Sequence, residues 1–180
     1  MNLPNKLTIL RVAMIPFFVL FLMLDGGATA TYRYVAAAIF IAASFTDFLD
    51  GKIARTYGLV TNFGKFMDPL ADKLLVCAGL ICFTALGQLS AWVVIVIISR
   101  EFIISGFRLV ASDNGVVIAA SYWGKFKTAS QMIMSVLLIL NIPALIFVTT
   151  VFIWIAVILT LVSLVDYMAK NYRVLVEGSM

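Results

Sequence analysis

Residues 74–86 read LLVCAGLICFTAL, and residues 91–99 read AWVVIVIIS. Strands of a membrane barrel alternate apolar and polar residues with a period of two, whereas both of these stretches are apolar almost without interruption. Apolar runs of about twenty residues are long enough to cross the ~30 Å hydrocarbon core of a bilayer as helices. The two stretches therefore predict membrane-spanning helices and an all-α fold.

The same pattern extends over the whole chain. Its 180 residues are 63% hydrophobic and only 12% charged, which is too apolar for a soluble domain. The connections are short and no internal repeat is visible, so we predict one membrane domain, residues 1–180, built as a bundle of six transmembrane helices. The first span lacks a small-residue cleavage site and is interpreted as a retained helix. The six predicted spans are residues 8–24, 33–54, 66–87, 90–112, 124–147 and 149–169.

The basic residues predict the orientation of these spans. If the N-terminus is cytoplasmic, nearly all lysines and arginines fall at or near inner ends, and Arg33 falls at an outer end. The positive-inside rule then predicts a multi-pass protein of the cytoplasmic membrane with both termini in the cytoplasm. The net charge of +4 favours anionic lipid and phosphate at the inner surface. We expect no nucleic-acid partner.

Residues 47–72, DFLDGKIARTYGLVTNFGKFMDPLAD, place four acids where the apolar runs break. Asp47 and Asp50 lie one helical turn apart, as do Asp68 and Asp72, so each pair shares a helix face. Two neighbouring antiparallel helices can therefore direct four carboxylates at one space facing the cytoplasm, where they would repel one another unless a cation lay among them. Mg²⁺ prefers oxygen ligands, and the chain contains no histidine. The pattern predicts a Mg²⁺ or Mn²⁺ site; the alternative is a set of interfacial acids paired with nearby lysines and Arg55.

Written as D-x₂-D-G-x₂-A-R-x₈-G-x₃-D-x₃-D, this stretch resembles the signature of the CDP-alcohol phosphotransferases. These are membrane enzymes with six transmembrane helices, so the resemblance extends to the predicted helix number. Eight specified residues at fixed spacing make the signature specific. The matching positions are Asp47, Asp50, Gly51, Ala54, Arg55, Gly64, Asp68 and Asp72.

The resemblance implies roles for these residues. It implies that Asp47, Asp50 and Asp68 bind the metal, and that Asp72 is both a ligand and the general base. The implied reaction is displacement at the β-phosphorus of a CDP-linked lipid by an alcohol, with release of CMP. The positions that match contacts to the CDP part of the donor are Asp50, Gly51, Arg55 and Thr61.

The N-terminal residues 4–11, PNKLTILR, resemble the opening of the bacterial phosphatidylglycerophosphate synthases within that family. The donor would then be CDP-diacylglycerol and the acceptor sn-glycerol 3-phosphate, with Asn5 and Thr8 at the nucleotide and Arg11 at a phosphate. The alternative is a helix start whose basic side chains extend to the membrane surface. Similarity to the family also implies a homodimer.

A second polar set lies downstream of the acids. Arg100 is predicted deep in the fourth span, where a lone arginine would cost at least ~2.5–3.5 kcal/mol on insertion scales. It either pairs with Glu101 or an acid of the metal cluster, or it helps to bind the acceptor phosphate. The acceptor hypothesis assigns the phosphate to Arg100, Arg108, Lys125 and Lys127.

Two other functions are compatible with the same residues. A member of the family could use another acceptor, such as phosphatidylglycerol or inositol phosphate. A cation transporter could also carry intramembrane acids, although transporters usually place polar groups near the midplane.

Overall fold

A computed structural model describes residues 2–56, 62–113 and 121–177, with side chains described for 2, 5–47, 67, 70–71, 73–111 and 121–171. Every regular element in these ranges is helical, which confirms the predicted all-α class. Short 3₁₀ turns lie at Leu24–Gly27 and Pro143–Leu145. The α-helices are α1 Leu3–Met23, α2 Ala30–Thr56, α3 Asn62–Ala85, α4 Ala91–Asp113, α5 Tyr122–Leu140 and α6 Ile146–Glu177.

The break between α5 and α6 comes earlier than predicted. The hydropathy pattern predicts this break after residue 147, but α5 ends at Leu140. Asn141 has a left-handed backbone with φ 46°, a conformation that asparagine tolerates better than most residues. Pro143 then opens a 3₁₀ turn. The boundary prediction was wrong because this break is embedded in apolar sequence, so hydropathy alone does not reveal it.

The chain forms two compact units, which are described separately. The first comprises Met1–Leu89 and Ser135–Ile142. In it α1 packs against α2 and α3. The Phe18 and Phe40 rings lie 5.4 Å apart between centroids, and both side chains are fully buried. This packing sets α1 against the half of α2 that leads to the acidic signature.

The second unit comprises Ser90–Met134 and Pro143–Met180. Here α4 packs against α6. Phe107 meets Tyr167 edge to face with ring centroids 5.7 Å apart, and Ile104 belongs to the same buried cluster. This contact aligns the polar stretch of α4 with that of α6.

Many large apolar side chains lie on the exterior, including Phe17 on α1, Ile95 on α4 and Phe147 on α6. A lipid-facing surface has this character, whereas soluble proteins keep their apolar patches small. Within the described residues, two helical segments are long and apolar enough to cross a membrane, Asn5–Gly27 and Pro143–Asn171. Six membrane crossings therefore remain a prediction.

Candidate active site

Arg11 on α1 is fully buried although it carries a charge. Its Nη1 lies 2.7 Å from Oδ1 of Asp47, and its Nε donates to the carbonyl oxygen of Ala43 at 3.2 Å. Ala43 and Asp47 are four residues apart on α2, so one guanidinium can reach both. The Asp47 side chain remains 40% exposed. The pair therefore holds in place a carboxylate that a ligand can still approach.

The buried position of Arg11 bears on the two interpretations of the N-terminal stretch. Asn5 and Thr8 are buried as well, and both lie on the helix face that continues into the apolar residues Ile15 and Phe18. The alternative in which basic side chains of this stretch extend to the membrane surface is thus wrong for Arg11. Contact of Asn5 and Thr8 with a nucleotide stays a prediction.

Arg100 and Lys127 form a buried network with Glu101 in the second unit. Arg100 is 9% exposed and Lys127 is 2% exposed. The Arg100 Nη1 donates to Glu101 Oε1 at 3.1 Å, and the Lys127 ammonium donates to the same oxygen. The Arg100 Nε donates to the Ser163 hydroxyl at 3.1 Å. The network joins α4, α5 and α6 and contains the predicted pair of Arg100 and Glu101; a role of Arg100 in binding the acceptor phosphate stays a prediction.

The Arg100 guanidinium lies near Gly124 on α5. A Cβ atom at that position would lie 3.4 Å from Arg100 Nη2, which is the short end of ordinary van der Waals contact. The network therefore reaches the backbone of α5 at Gly124.

Arg108 and Lys125, the other two predicted acceptor residues, are exposed. The Arg108 guanidinium carbon lies 6.0 Å from the centroid of the Tyr167 ring, and the Lys125 Nζ lies 5.4 Å from that of Tyr122. Both distances fit cation–π contacts. The four predicted acceptor residues therefore separate into a buried pair joined through Glu101 and two exposed cations beside aromatic rings.

The remaining predicted residues are those of the acidic signature and Thr61. Asp50, Gly51 and Arg55 lie on α2 and Asp68 and Asp72 on α3, but their side chains, and Thr61 as a whole, lie outside the described residues. Within the described part of the chain, no group of three potential metal-ligating side chains occurs. Convergence of the four acids therefore stays a prediction, and Asp47 is the member whose surroundings are known.

Comparison with known proteins identifies the family. The family model described as CDP-alcohol phosphatidyltransferase matches residues 1–162. The chain belongs to this family.

The CDP-alcohol phosphatidyltransferases similar to this chain include three bacterial proteins named CDP-diacylglycerol--glycerol-3-phosphate 3-phosphatidyltransferase. The Bacillus subtilis protein is 46% identical, over 97% of this chain and 97% of its own length. The Rickettsia bellii protein is 39% identical, over 92% and 93%, and the Haemophilus influenzae protein is 38% identical, over 93% and 91%. The similarity is thus not confined to the acidic signature.

Two contacts of this phosphatidyltransferase were not predicted from its sequence. They are the contact of Arg11 with Asp47 and the contact of Glu101 with Lys127. A signal for the first was present, since a charged residue in register with Ile15 and Phe18 on an apolar face requires a partner. Nothing in the sequence pointed to the contact between Glu101 and Lys127.

Proposed function

We propose that the protein transfers the phosphatidyl group of CDP-diacylglycerol to sn-glycerol 3-phosphate, giving phosphatidylglycerophosphate and CMP. The observation that carries the proposal is the 46% identity, over 97% of both chains, to a protein named for this reaction. The complete acidic signature supports it. Membership of a transferase family speaks against the cation-transporter alternative.

The acidic signature fits a divalent metal ion. All four proposed ligands, Asp47, Asp50, Asp68 and Asp72, offer carboxylate oxygens, the donors that Mg²⁺ and Mn²⁺ prefer. Asp47 in addition is partly exposed and is held by Arg11, as a prepositioned ligand should be. When bound, Mg²⁺ or Mn²⁺ would neutralise charge on the donor pyrophosphate and on the departing CMP.

The proposed reaction needs one proton acceptor and residues that hold the donor and the acceptor in position. Asp72 takes the proton from the acceptor hydroxyl while that oxygen bonds to the β-phosphorus of the donor. The bond from the β-phosphorus to the bridging oxygen breaks, and CMP leaves with the electron pair. The residues proposed to position the CDP part are Asn5, Thr8, Asp50, Gly51, Arg55 and Thr61.

The cations of the second unit are proposed to bind the acceptor phosphate. Arg100 and Lys127 both pair with Glu101, so the network holds two cations side by side, and neighbouring cations favour a phosphate. Arg108 and Lys125 are exposed and accessible to a phosphate arriving from water.

The proposed location is the cytoplasmic membrane, with multiple crossings and the active site facing the cytoplasm. The apolar exterior and the distribution of basic residues support this location. A single domain and a homodimer are proposed from resemblance to the family.

The decisive experiment measures CMP release by purified protein in detergent micelles with CDP-diacylglycerol, Mg²⁺ and a panel of acceptors. We expect faster release with sn-glycerol 3-phosphate than with phosphatidylglycerol or inositol phosphate, and loss of release on metal chelation. Faster CMP release with another acceptor would show that sn-glycerol 3-phosphate is not the preferred acceptor. Folded protein that releases no CMP above the chelated control would overturn the proposal.

Replacing Arg11 tests its role beside the proposed metal site. Arg11→Met removes the donor that orients Asp47, and loss of such an outer partner typically lowers metal affinity or activity by about 10- to 100-fold. Mn²⁺ binding followed by electron paramagnetic resonance, without substrate, should show weaker affinity. Lys6→Met is the matched control, because Lys6 is an exposed cation on the same helix. Equal Mn²⁺ affinity in both variants would contradict the role.

A further inference from the structure

The side-chain amide of Gln131 on α5 is buried. The residue is 3% exposed, and within the described part of the chain neither Nε2 nor Oε1 has a hydrogen-bond partner. A buried amide without partners destabilises the fold, so such groups are uncommon and require an explanation. In the same unit the hydroxyls of Ser130, Thr160 and Ser163 each donate to a backbone carbonyl oxygen. The Tyr167 hydroxyl and Asp166 Oδ2 are single atoms without a partner among the described residues, whereas in Gln131 both the donor and the acceptor lack one.

Gln131 lies close to the charged network of the second unit. It follows Lys127 by four residues, so the two side chains share a face of α5 and lie about 6 Å apart along the helix axis. Lys127 reaches Glu101, which also accepts from Arg100. The unpaired donor and acceptor of Gln131 are therefore located one turn from a buried lysine.

We propose that Gln131 binds the secondary hydroxyl of the acceptor and makes the enzyme selective for a glycerol backbone. The inference depends on the proposed function. A hydroxyl both donates and accepts hydrogen bonds, and the Gln131 amide offers the complementary acceptor and donor. A phosphate near Lys127 would place a three-carbon acceptor along α5 within reach of Gln131. Satisfying the amide only when acceptor is bound would explain why the residue is polar and buried.

The test compares two acceptors. One is sn-glycerol 3-phosphate, and the other is 3-hydroxypropyl phosphate, which keeps the phosphate and a terminal hydroxyl but lacks the secondary hydroxyl. A site whose buried polar group is left unpaired rejects the smaller analogue. We expect the wild-type kcat/KM to favour sn-glycerol 3-phosphate by about 10- to 100-fold, and we expect Gln131→Met to bring this ratio close to one.

A second measurement needs no substrate. Since Gln131→Met replaces an unpaired amide with an apolar side chain of similar shape, the variant should keep or raise the Tm. Ser130→Ala serves as the control for the acceptor ratio, because it alters the neighbouring buried residue and leaves the amide in place.

The outcomes separate this inference from the proposed function. Wild-type protein that releases CMP with neither acceptor would overturn the proposed function. Active protein whose acceptor ratio is the same in wild type and Gln131→Met would overturn the role of Gln131 and leave the function standing. A clear fall in Tm for Gln131→Met would also contradict the inference, because it would show that the amide stabilises the fold.

Discussion

We expect Asp72→Asn to lower the turnover number about a thousandfold while Mn²⁺ binding is partly retained. The proposal makes Asp72 the acceptor of the proton from the attacking hydroxyl, and a positioned base contributes about 10²–10⁴-fold to such reactions. Asparagine keeps an oxygen that can ligate a metal, but it cannot accept the proton at neutral pH. Single-turnover CMP release, measured beside Mn²⁺ titrations without substrate, separates the two effects.

The control for this variant is Asp166→Asn on α6, the same chemical change at a residue that has no proposed role in the reaction. Its turnover should stay close to that of wild type. Near-normal turnover in Asp72→Asn would show that another residue is the general base. If Mn²⁺ binding and turnover were both lost completely, Asp72 would be assigned as a metal ligand only.

We expect Glu101→Gln to lower the free energy of unfolding by about 3–5 kcal/mol, the range found when one member of a buried ion pair is removed. Arg100 and Lys127 are both buried, and both donate to Glu101. Glutamine has the same shape but no negative charge, so two buried cations would lose their shared counterion. Thermal unfolding and unfolding by denaturant in detergent would measure the loss.

Two further variants make the stability test specific. Lys170→Gln breaks the pair with Asp166, in which the lysine side chain is 65% exposed, and such pairs contribute about 0–1 kcal/mol. The double variant Glu101→Gln with Lys127→Met removes one of the two cations and should recover part of the lost stability. A loss in Glu101→Gln no larger than in Lys170→Gln would show that the network contributes little.

The helices and the acidic signature were predictable because both are local features. Continuous apolar runs indicated helices, and fixed spacing put Asp47 and Asp50 on one face of α2. The break at Asn141 was missed for a physical reason. Hydropathy indicates whether a segment is surrounded by lipid or by water. The left-handed backbone of Asn141, followed by Pro143, ends the helix although the sequence on both sides stays apolar.

By itself, the sequence determined the helical class, the family and the residues proposed to bind metal, since spacing along a helix fixes which side chains share a face. Only the tertiary structure decided that Arg11 is enclosed beside Asp47 and that Glu101 is shared by Arg100 and Lys127. Glu101 and Lys127 are 26 residues apart. A contact at that separation depends on how two helices pack, and the periodicity within each helix does not specify that packing.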